Sequence, residues 1–249
     1  MSQPSSKRSL QTSSLNVDVW RGDSNGGQSQ TFEVPREPSQ TVLDVVTWIQ
    51  RNADPDLSYR FACRVGMCGS CAMMVNGVPR WTCRTHVERV AQNGQLSIAP
   101  LRNLPVIKDL ACDMSEFFEK WQKSDARFHP SETRHDDMPR IDPHEKQRSA
   151  ANAAIECINC AVCYSACDVV NSSTTYAGPA ALNRAWTLQN DQRDSNRASR
   201  LQTLVNDSGC TSCHSLANCS VHCPVELNPS GSIAGLKRMV FSATLKGQL

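Results

Sequence analysis

The stretch Cys157-Ile-Asn-Cys160-Ala-Val-Cys163-Tyr-Ser-Ala-Cys167 decides how the second half of this chain folds. Its four cysteines are separated by two, two and three residues. In runs with this spacing the first three thiolates hold one 4Fe-4S cluster, while the fourth thiolate crosses to another cluster. The run therefore predicts two iron-sulfur sites that share a loop, and both sites need further cysteines from elsewhere in the chain.

The completing cysteines lie close to the C-terminus. By the same pattern Cys223, which precedes a proline, returns to the first three cysteines of the run, and the fourth joins Cys213 and Cys219. We number the sites in chain order, and the first site lies in the N-terminal half of the chain. The predicted ligands are Cys157, Cys160, Cys163 and Cys223 at the second site, and Cys167, Cys213 and Cys219 at the third site.

The third site is one thiolate short of a full set. Leu216 stands three residues after Cys213, where a 4Fe-4S motif has a cysteine, and three thiolates without a fourth favour a 3Fe-4S cluster. Cys210 offers an alternative, because it lies three residues before Cys213 and could supply a fourth thiolate from the other side of the loop. The spacing alone leaves the iron content of this site open.

An earlier group of cysteines predicts the first site. Cys63, Cys68 and Cys71 are separated by four and two residues, and Cys83 follows twelve positions later, which is the spacing of a plant-type 2Fe-2S site. Small residues between them allow the backbone to wrap a cluster and turn N–H groups toward its sulfurs. A zinc site is the alternative, but zinc motifs pair two C-x2-C units. The small residues are Gly66, Gly69, Ser70 and Ala72.

The overall composition excludes several classes of protein. The chain has 249 residues, a net charge of +2 and 39% hydrophobic residues, so it fits one large or two small domains and indicates no nucleic-acid partner. Its polar start lacks the apolar stretch of a secretory signal, and no stretch approaches the roughly 18 apolar residues of a membrane span. We therefore expect a soluble, cytosolic chain whose thirteen cysteines are metal ligands or thiols.

Periodicity predicts a small mixed sheet with one helix in the first hundred residues. Residues 15–20 and 31–34 alternate as the strands of a hairpin around the turn-rich segment 22–27. Thr41 and Asp44 resemble a capping box at the start of a helix that ends before Pro55. After the first cysteine loop come a strand, a turn at Asn76-Gly77 and a second short strand toward Cys83.

The rest of the chain predicts helices separated by a linker. Apolar residues recur at three and four positions over residues 107–121, which predicts a helix with Cys112 as a buried thiol. Further helices are expected over 179–186 and 197–205 and from Pro229 onward. The predicted domains are a disordered tail (1–14), a first domain with its bridging helix (15–122), a linker (123–145) and a helical domain (146–249). The linker histidines, expected to be solvated, are His129, His135 and His144.

Taken together, these motifs resemble the iron-sulfur subunit of succinate dehydrogenase and fumarate reductase, the respiratory complex II family. The resemblance rests on YRFACRVGMCGSCAMMVNGVPRWTC, PVIKDL, CINCAVCYSAC, AGPAAL, QRDSNRASRL and CHSLANCSVHCP, and covers roughly residues 15–245. It implies an α+β chain with an N-terminal beta-grasp 2Fe-2S ferredoxin domain and an all-alpha helical ferredoxin domain. It also implies the three ligand sets above, with 2Fe-2S, 4Fe-4S and 3Fe-4S clusters in chain order.

The resemblance further implies an electron-transfer subunit rather than a catalytic one. A partner flavoprotein would carry the FAD and the dicarboxylate chemistry, and a quinone- or heme-binding membrane anchor would hold the chain peripherally at the cytoplasmic side of the inner membrane. The family's proline and tryptophan after the Cys167 position are missing here, where Asp168 follows. His214 matches the family histidine beside the third cluster and is the candidate for the quinone neighbourhood, with a packing role as the alternative.

Two competing functions use the same residues. The chain could serve another flavin-linked dehydrogenase built from similar modules, which its genomic neighbours would distinguish. A zinc-binding structural scaffold would instead give a colourless protein, whereas an iron-sulfur protein is brown.

Overall fold

A mixed five-stranded sheet with one long helix forms the first part of the computed structural model, which describes residues 14–249. The predicted tail over 1–14 lies outside the described residues except for Ser14, which begins the first strand. The elements are β1 (Ser14–Asp23), β2 (Gly26–Pro35), α1 (Val42–Asn52), β3 (Ala72–Val75), β4 (Val78–Trp81), α2 (Val87–Val90), β5 (Gln95–Ala99), β6 (Val106–Lys108), β7 (Ala111–Cys112) and α3 (Ser115–Lys123).

The sheet order is β2-β1-β5-β3-β4, with β1 parallel to β5 and the other neighbours antiparallel. Asn76 and Gly77 join β3 to β4 with φ values of 49° and 75°, because a tight two-residue hairpin of this hand needs positive φ at both positions. The capping box at the start of α1 is present: Thr41 accepts a hydrogen bond from the Asp44 N–H, and the Asp44 carboxylate accepts one from the Thr41 N–H. The sheet and α1 confirm the predicted beta-grasp class.

The second part of the chain is helical, as predicted. The described residues between α3 and α4 include no helix or named strand, and Pro130 pairs with Asp194 in an isolated bridge. This α+β division, a sheet domain followed by a helical one, agrees with the fold class expected from the sequence. The helices are α4 (Lys146–Ala151), α5 (Val162–Ser165), α6 (Asp168–Ser172), α7 (Pro179–Asn190), α8 (Arg197–Thr203), α9 (Asn218–Val221) and α10 (Pro229–Leu245).

The predicted long helix over 107–121 is wrong in its first half. Residues 106–112 form the β6–β7 hairpin, and α3 begins only at Ser115. Asp109 sits in the turn with φ of 50°, and its buried carboxylate accepts hydrogen bonds from the Arg21 side chain and the Ser58 N–H. These tertiary contacts override the local periodicity. Cys112 is accordingly buried in a strand, where its thiol donates to the Leu101 carbonyl.

One of the apolar cores is built from residues of both parts of the chain, and a second core lies within the sheet domain. Every residue of β3 is buried, because Met73 packs into the core under the sheet while Ala72 and Met74 pack against the helical part. Asn103 reinforces this seam. Its side-chain N–H groups donate to the carbonyl oxygens of Tyr164 and Cys167 at 3.0 and 3.1 Å. A residue of the first part of the chain therefore holds the loop between Cys163 and Cys167.

The segment between α3 and α4 is partly tied to the helical part rather than solvated throughout. Arg200 is fully buried and donates two hydrogen bonds to the Asp194 carboxylate and two to the carbonyl oxygens of Asp125 and Arg127. His129 was expected to be solvated. That expectation is wrong, because its ring bonds the Asp125 carboxylate at 2.8 Å and its backbone N–H donates to Asp194.

We expect Arg200→Met to destabilise the helical part strongly. Removing one partner of a buried ion pair leaves the Asp194 carboxylate without its counter-charge, which costs about 3–5 kcal/mol. Urea unfolding of the cluster-loaded chain, followed by far-UV circular dichroism, measures the effect. The matched control is Arg193→Met, since this partly exposed arginine pairs with Asp191 and its loss costs at most about 1 kcal/mol. Equal unfolding midpoints for the two variants would contradict the prediction.

Candidate metal centres

The first cysteine loop directs backbone N–H groups at its own sulfurs. The amides of Val65, Met67 and Cys68 donate to the Cys63 sulfur at 3.4, 3.2 and 3.3 Å. Gly66 allows this turn with φ of 78°, and a Cβ atom there would lie 2.8 Å from the Trp81 ring. The loop therefore already has the N–H arrangement that stabilises negative charge on sulfur.

Cys71 and Cys83 complete the first site from deeper in the domain. Both thiols are buried, and Thr82 holds them together because its hydroxyl and its N–H both donate to the Cys71 carbonyl. Burial and the neighbouring Cys71 raise the pKa of Cys83 to about 12. Burial works in the same direction at Cys68, but hydrogen bonds from Ser70 and the Cys63 amide lower the pKa of that thiol to about 6.

The four cysteines predicted for the second site line one cavity. Cys157, Cys160 and Cys163 come from the loop before α5 and from its first turn, and Cys223 follows α9. Apart from the cysteines, the cavity is lined mainly by apolar residues, by Asn159 and by Asn183 of α7. Burial raises the pKa of Cys160 to about 12 and that of Cys163 well above its usual value.

The three cysteines predicted for the third site line a neighbouring cavity. Cys167, Cys213 and Cys219 share this cavity with Tyr176, which is buried. Burial raises the pKa of Cys219 to about 11, and the charges of the other two cysteines act in the same direction. His214 also lines the cavity, and its side chain is exposed, which places it at the rim.

The loops of the second and third sites repeat one backbone design. Asn159 and Ala161 have left-handed φ values of 54° and 59°, and Ser215 and Ala217 have φ values of 59° and 63°. Each pair leads into a four-residue helix that carries a cysteine as its second residue. In this alignment Leu216 occupies the place of Cys160. The third site therefore lacks the thiol that Cys160 supplies at the second site.

Two further cysteines lie outside these groups. Cys210 is fully buried, donates to the Leu204 carbonyl at 3.4 Å and does not line the third cavity. Cys112 lines a wider cavity between the two domains, together with Cys68 and Cys160. Among residues 14–249, no three side chains of histidine, cysteine, aspartate or glutamate are arranged to hold a single metal ion.

The first and second sites touch each other at Gly69. A Cβ atom on Gly69 would lie 2.7 Å from the Ile158 carbonyl oxygen and 2.8 Å from both the Cα and Cβ atoms of Cys160. The loop that carries Cys68 and Cys71 thus packs directly on the backbone of a predicted second-site ligand. Only glycine permits this approach, because φ at this position is 70° and no space remains for a side chain.

The grouped thiols fit polynuclear iron sites. Buried thiols with raised pKa values stay protonated on their own, whereas bound iron replaces the protons and neutralises the thiolates. Sequence reasoning missed three residues beside these sites: Asn103, Tyr176 and Asn183. The interruption of the apolar helix Pro179–Trp186 by an asparagine was the available signal for the last of them.

A chain with a 2Fe-2S loop on a beta-grasp sheet and two cysteine cavities in a helical domain is a two-domain iron-sulfur protein. Residues 16–119 match the family described as a 2Fe-2S iron-sulfur cluster binding domain. Residues 153–227 match the family described as a 4Fe-4S dicluster domain. Both matches confirm iron-sulfur chemistry and favour it over zinc.

Relatives with known names define the family more closely. The fumarate reductase iron-sulfur subunit of Mycobacterium tuberculosis is 36% identical over 221 residues, covering 87% of each chain. The same subunit of Haemophilus influenzae is 32% identical over 88% of this chain and 90% of its own. A chain of the Mycobacterium smegmatis Sdh1 complex in the apo form superimposes with a TM-score of 0.83 at 26% identity, covering 94% of this chain and 98% of that one. This chain belongs to the family of iron-sulfur subunits of fumarate reductase and succinate dehydrogenase.

We expect Gly69→Ala to disturb the contact between the first and second sites. The added methyl group must displace the backbone at Ile158 or Cys160, so electron exchange between the two clusters should slow and the magnetic coupling between them should weaken. Rapid-freeze EPR of the reduced protein measures both. Gly77→Ala is the control, because Gly77 has the same left-handed φ but nothing within 4 Å of the new methyl group. If Gly77→Ala slows electron exchange and weakens the coupling as much as Gly69→Ala does, backbone strain and not the contact is responsible.

We expect Leu216→Cys to convert the third site toward a 4Fe-4S cluster. The substitution places a thiol where the equivalent loop of the second site has Cys160. Low-temperature EPR of the oxidised protein should lose the 3Fe-4S signal, while iron analysis should rise by one atom per chain. Cys210→Ala should leave the wild-type 3Fe-4S signal unchanged. Loss of the third cluster in that variant would instead make Cys210 a ligand.

Proposed function

We propose that this chain is the electron-transfer subunit of a membrane-associated succinate:quinone oxidoreductase or quinol:fumarate reductase. When bound, the clusters supply one-electron redox chemistry, and the dicarboxylate reaction takes place at the FAD of a partner flavoprotein. The direction depends on the potentials of flavin, clusters and quinone. The ligands that we propose are Cys63, Cys68, Cys71 and Cys83 (2Fe-2S), Cys157, Cys160, Cys163 and Cys223 (4Fe-4S), and Cys167, Cys213 and Cys219 (3Fe-4S).

The order of the three sites carries this proposal. Gly69 brings the first loop against Cys160, so the first and second sites are neighbours. The second and third sites share two segments, because Cys163 and Cys167 lie four residues apart, as do Cys219 and Cys223. These contacts and spacings support a row of three sites, with the second in the middle. A row of one-electron centres suits a protein that links a two-electron flavin to a distant acceptor.

The exposed surface of the first loop supports contact with the flavoprotein. Val65 and Met67, on either side of Gly66, are exposed large apolar residues, and the Met67 residue is 70% exposed. Phe61 lies just before the loop and is also exposed. Apolar side chains at the rim of a redox site favour burial against a partner. We call Phe61, Val65 and Met67 the first-site patch and assign it to the flavoprotein.

A second apolar surface lies beside the third site and supports contact with the membrane anchor. Lys237 donates to the Cys213 carbonyl, and Phe241 and Leu245 follow it at four-residue steps on the same face of α10. Phe241 and Leu245 are both mostly exposed. We call these two residues the third-site patch. None of the helices within residues 14–249 combines the length and apolar character needed to cross a membrane.

His214 is the residue that we propose for the quinone neighbourhood. It lies at the rim of the third cavity with an exposed ring, where it can hydrogen-bond a quinone oxygen held by the anchor. We further propose that the chain binds the cytoplasmic face of the cell membrane. None of the thirteen cysteines, all of which lie within residues 14–249, forms a disulfide, which suits a reducing compartment.

Coexpression with a succinate dehydrogenase flavoprotein and its membrane anchor tests the proposal. The assembled complex should show 2Fe-2S, 4Fe-4S and 3Fe-4S EPR signals and should reduce quinone with succinate. Met67→Glu places a charge in the first-site patch and should release the flavoprotein while the anchor stays bound. Phe241→Glu should release the anchor and abolish quinone reduction, while succinate-dependent dye reduction by the remaining dimer persists.

Met138→Glu is the matched control for both variants. Met138 lies between α3 and α4 and is 90% exposed, so it adds the same charge at a site outside both patches. We expect full assembly and full quinone reductase activity for this variant. The assignment of the patches fails if Met67→Glu and Phe241→Glu assemble as well as Met138→Glu. The electron-transfer function fails if the wild-type complex shows no succinate-reducible cluster signals.

A further inference from the structure

Asn183 is an unusual residue at the second site. It belongs to α7, is only 1% exposed, and lines the cavity formed by the four second-site cysteines. Its oxygen Oδ1 is buried without any hydrogen-bond partner, and its amide nitrogen reaches only the Ala153 carbonyl at 3.4 Å. A buried amide oxygen without a donor costs about 1–3 kcal/mol. An apolar residue at this position would avoid that cost.

The neighbours of Asn183 along the helix underline the exception. Ala180, Ala181, Leu182 and Ala185 are all buried and apolar. Packing alone therefore gives no reason for a carboxamide here, and asparagine is also a weak helix former. The carboxamide lines the cavity of the second site, so a partner for it can lie there.

The sulfur atoms around the cavity favour the amide N–H of Asn183, rather than its oxygen, as the group that faces them. Four cysteine thiolates and the sulfides that accompany iron carry negative charge and accept hydrogen bonds, but they donate none. The terminal torsion of asparagine is soft, so a half-turn of the carboxamide exchanges Oδ1 and Nδ2. The exchange gives up the long contact of Nδ2 with the Ala153 carbonyl at 3.4 Å. An N–H directed at sulfur is stabilised by that charge, whereas a carbonyl oxygen in the same place is repelled.

We propose that Asn183 donates a side-chain hydrogen bond to a sulfur of the second cluster and thereby raises the reduction potential of that cluster. Hydrogen bonds to cluster and ligand sulfurs stabilise the added electron and are among the determinants of potential. Asn183 is thus a positioning and tuning residue, not a ligand. The inference rests on the proposed function, because it takes the cavity of Cys157, Cys160, Cys163 and Cys223 to hold a 4Fe-4S cluster.

A structural role provides the competing explanation, and α7 offers a control for it. One turn after Asn183, the buried hydroxyl of Thr187 accepts a hydrogen bond from the Ala154 N–H at 2.9 Å. In the orientation that the structure gives Asn183, both side chains tie α7 to residues 152–154, just before Cys157. Thr187 does not line the cavity. Loss of the tie is common to substitutions at both positions, but loss of an N–H facing the sulfurs is specific to Asn183.

Redox titration of the full complex, monitored by EPR, tests the proposal. Asn183→Leu, which is nearly isosteric, and Asn183→Ala, which adds no bulk, should each weaken reduction of the second cluster about tenfold. For a one-electron couple this corresponds to a midpoint lower by about 59 mV. The first and third clusters should keep their midpoints. Asn183→Ser retains a donor and should fall between the wild type and Asn183→Ala.

Thr187→Val should leave the midpoint of the second cluster at its wild-type value. An unchanged midpoint in both Asn183→Leu and Asn183→Ala, at full iron and sulfide content, would overturn the proposal. Equal shifts in Asn183→Ala and Thr187→Val would overturn it as well, since the role would then be structural. Failure of the underlying function is recognised separately, because the wild-type complex would then lack a 4Fe-4S signal.

Discussion

The approach of the first cysteine loop to the backbone of Ile158 and Cys160 constrains most of this structure. It leaves no room for a side chain at Gly69, and it brings the sheet domain into direct contact with the helical domain. The residues of β3 are buried on both faces, with Met73 directed into one core and Met74 into the other. The contact between two redox sites and the joining of two domains are thus the same piece of packing.

Polar contacts hold this seam at the loop between the second and third sites. Asn103 donates to the carbonyl oxygens of Tyr164 and Cys167 from the sheet domain. Lys120 of α3 is buried and donates to the Tyr164 hydroxyl at 2.7 Å, while its ammonium pairs with Glu116. Such satisfied buried polar groups specify one relative placement of the domains, which apolar packing alone specifies less strictly. A row of redox sites depends on fixed placement, since electron transfer is sensitive to distance.

Electrostatics explains why the sites are built around metal. Burial raises the pKa values of Cys83, Cys160 and Cys219 above that of a free thiol, so the protein alone disfavours their thiolates. Iron supplies the missing positive charge, and cluster binding is therefore coupled to the stability of the surrounding loops. The first site differs in part, because hydrogen bonds offset burial at Cys68 and favour its thiolate. At the second site, the amide of Asn183 adds a polar group to a wall that is mainly apolar.

The sequence by itself determined the cysteine groups, the beta-grasp hairpin with its capped helix, and the helical second part, because spacing and periodicity are local properties of the chain. It failed at residues 107–112 and at His129, because Asp109 binds Arg21 and Ser58 and the His129 backbone binds Asp194, all of them partners distant in sequence. Only the tertiary structure decided that Gly69 meets Cys160, that the loops of the second and third sites repeat one backbone conformation, and that Asn183 lines the second site. These facts depend on how separate segments pack in three dimensions, and no local pattern along the chain encodes such a distance.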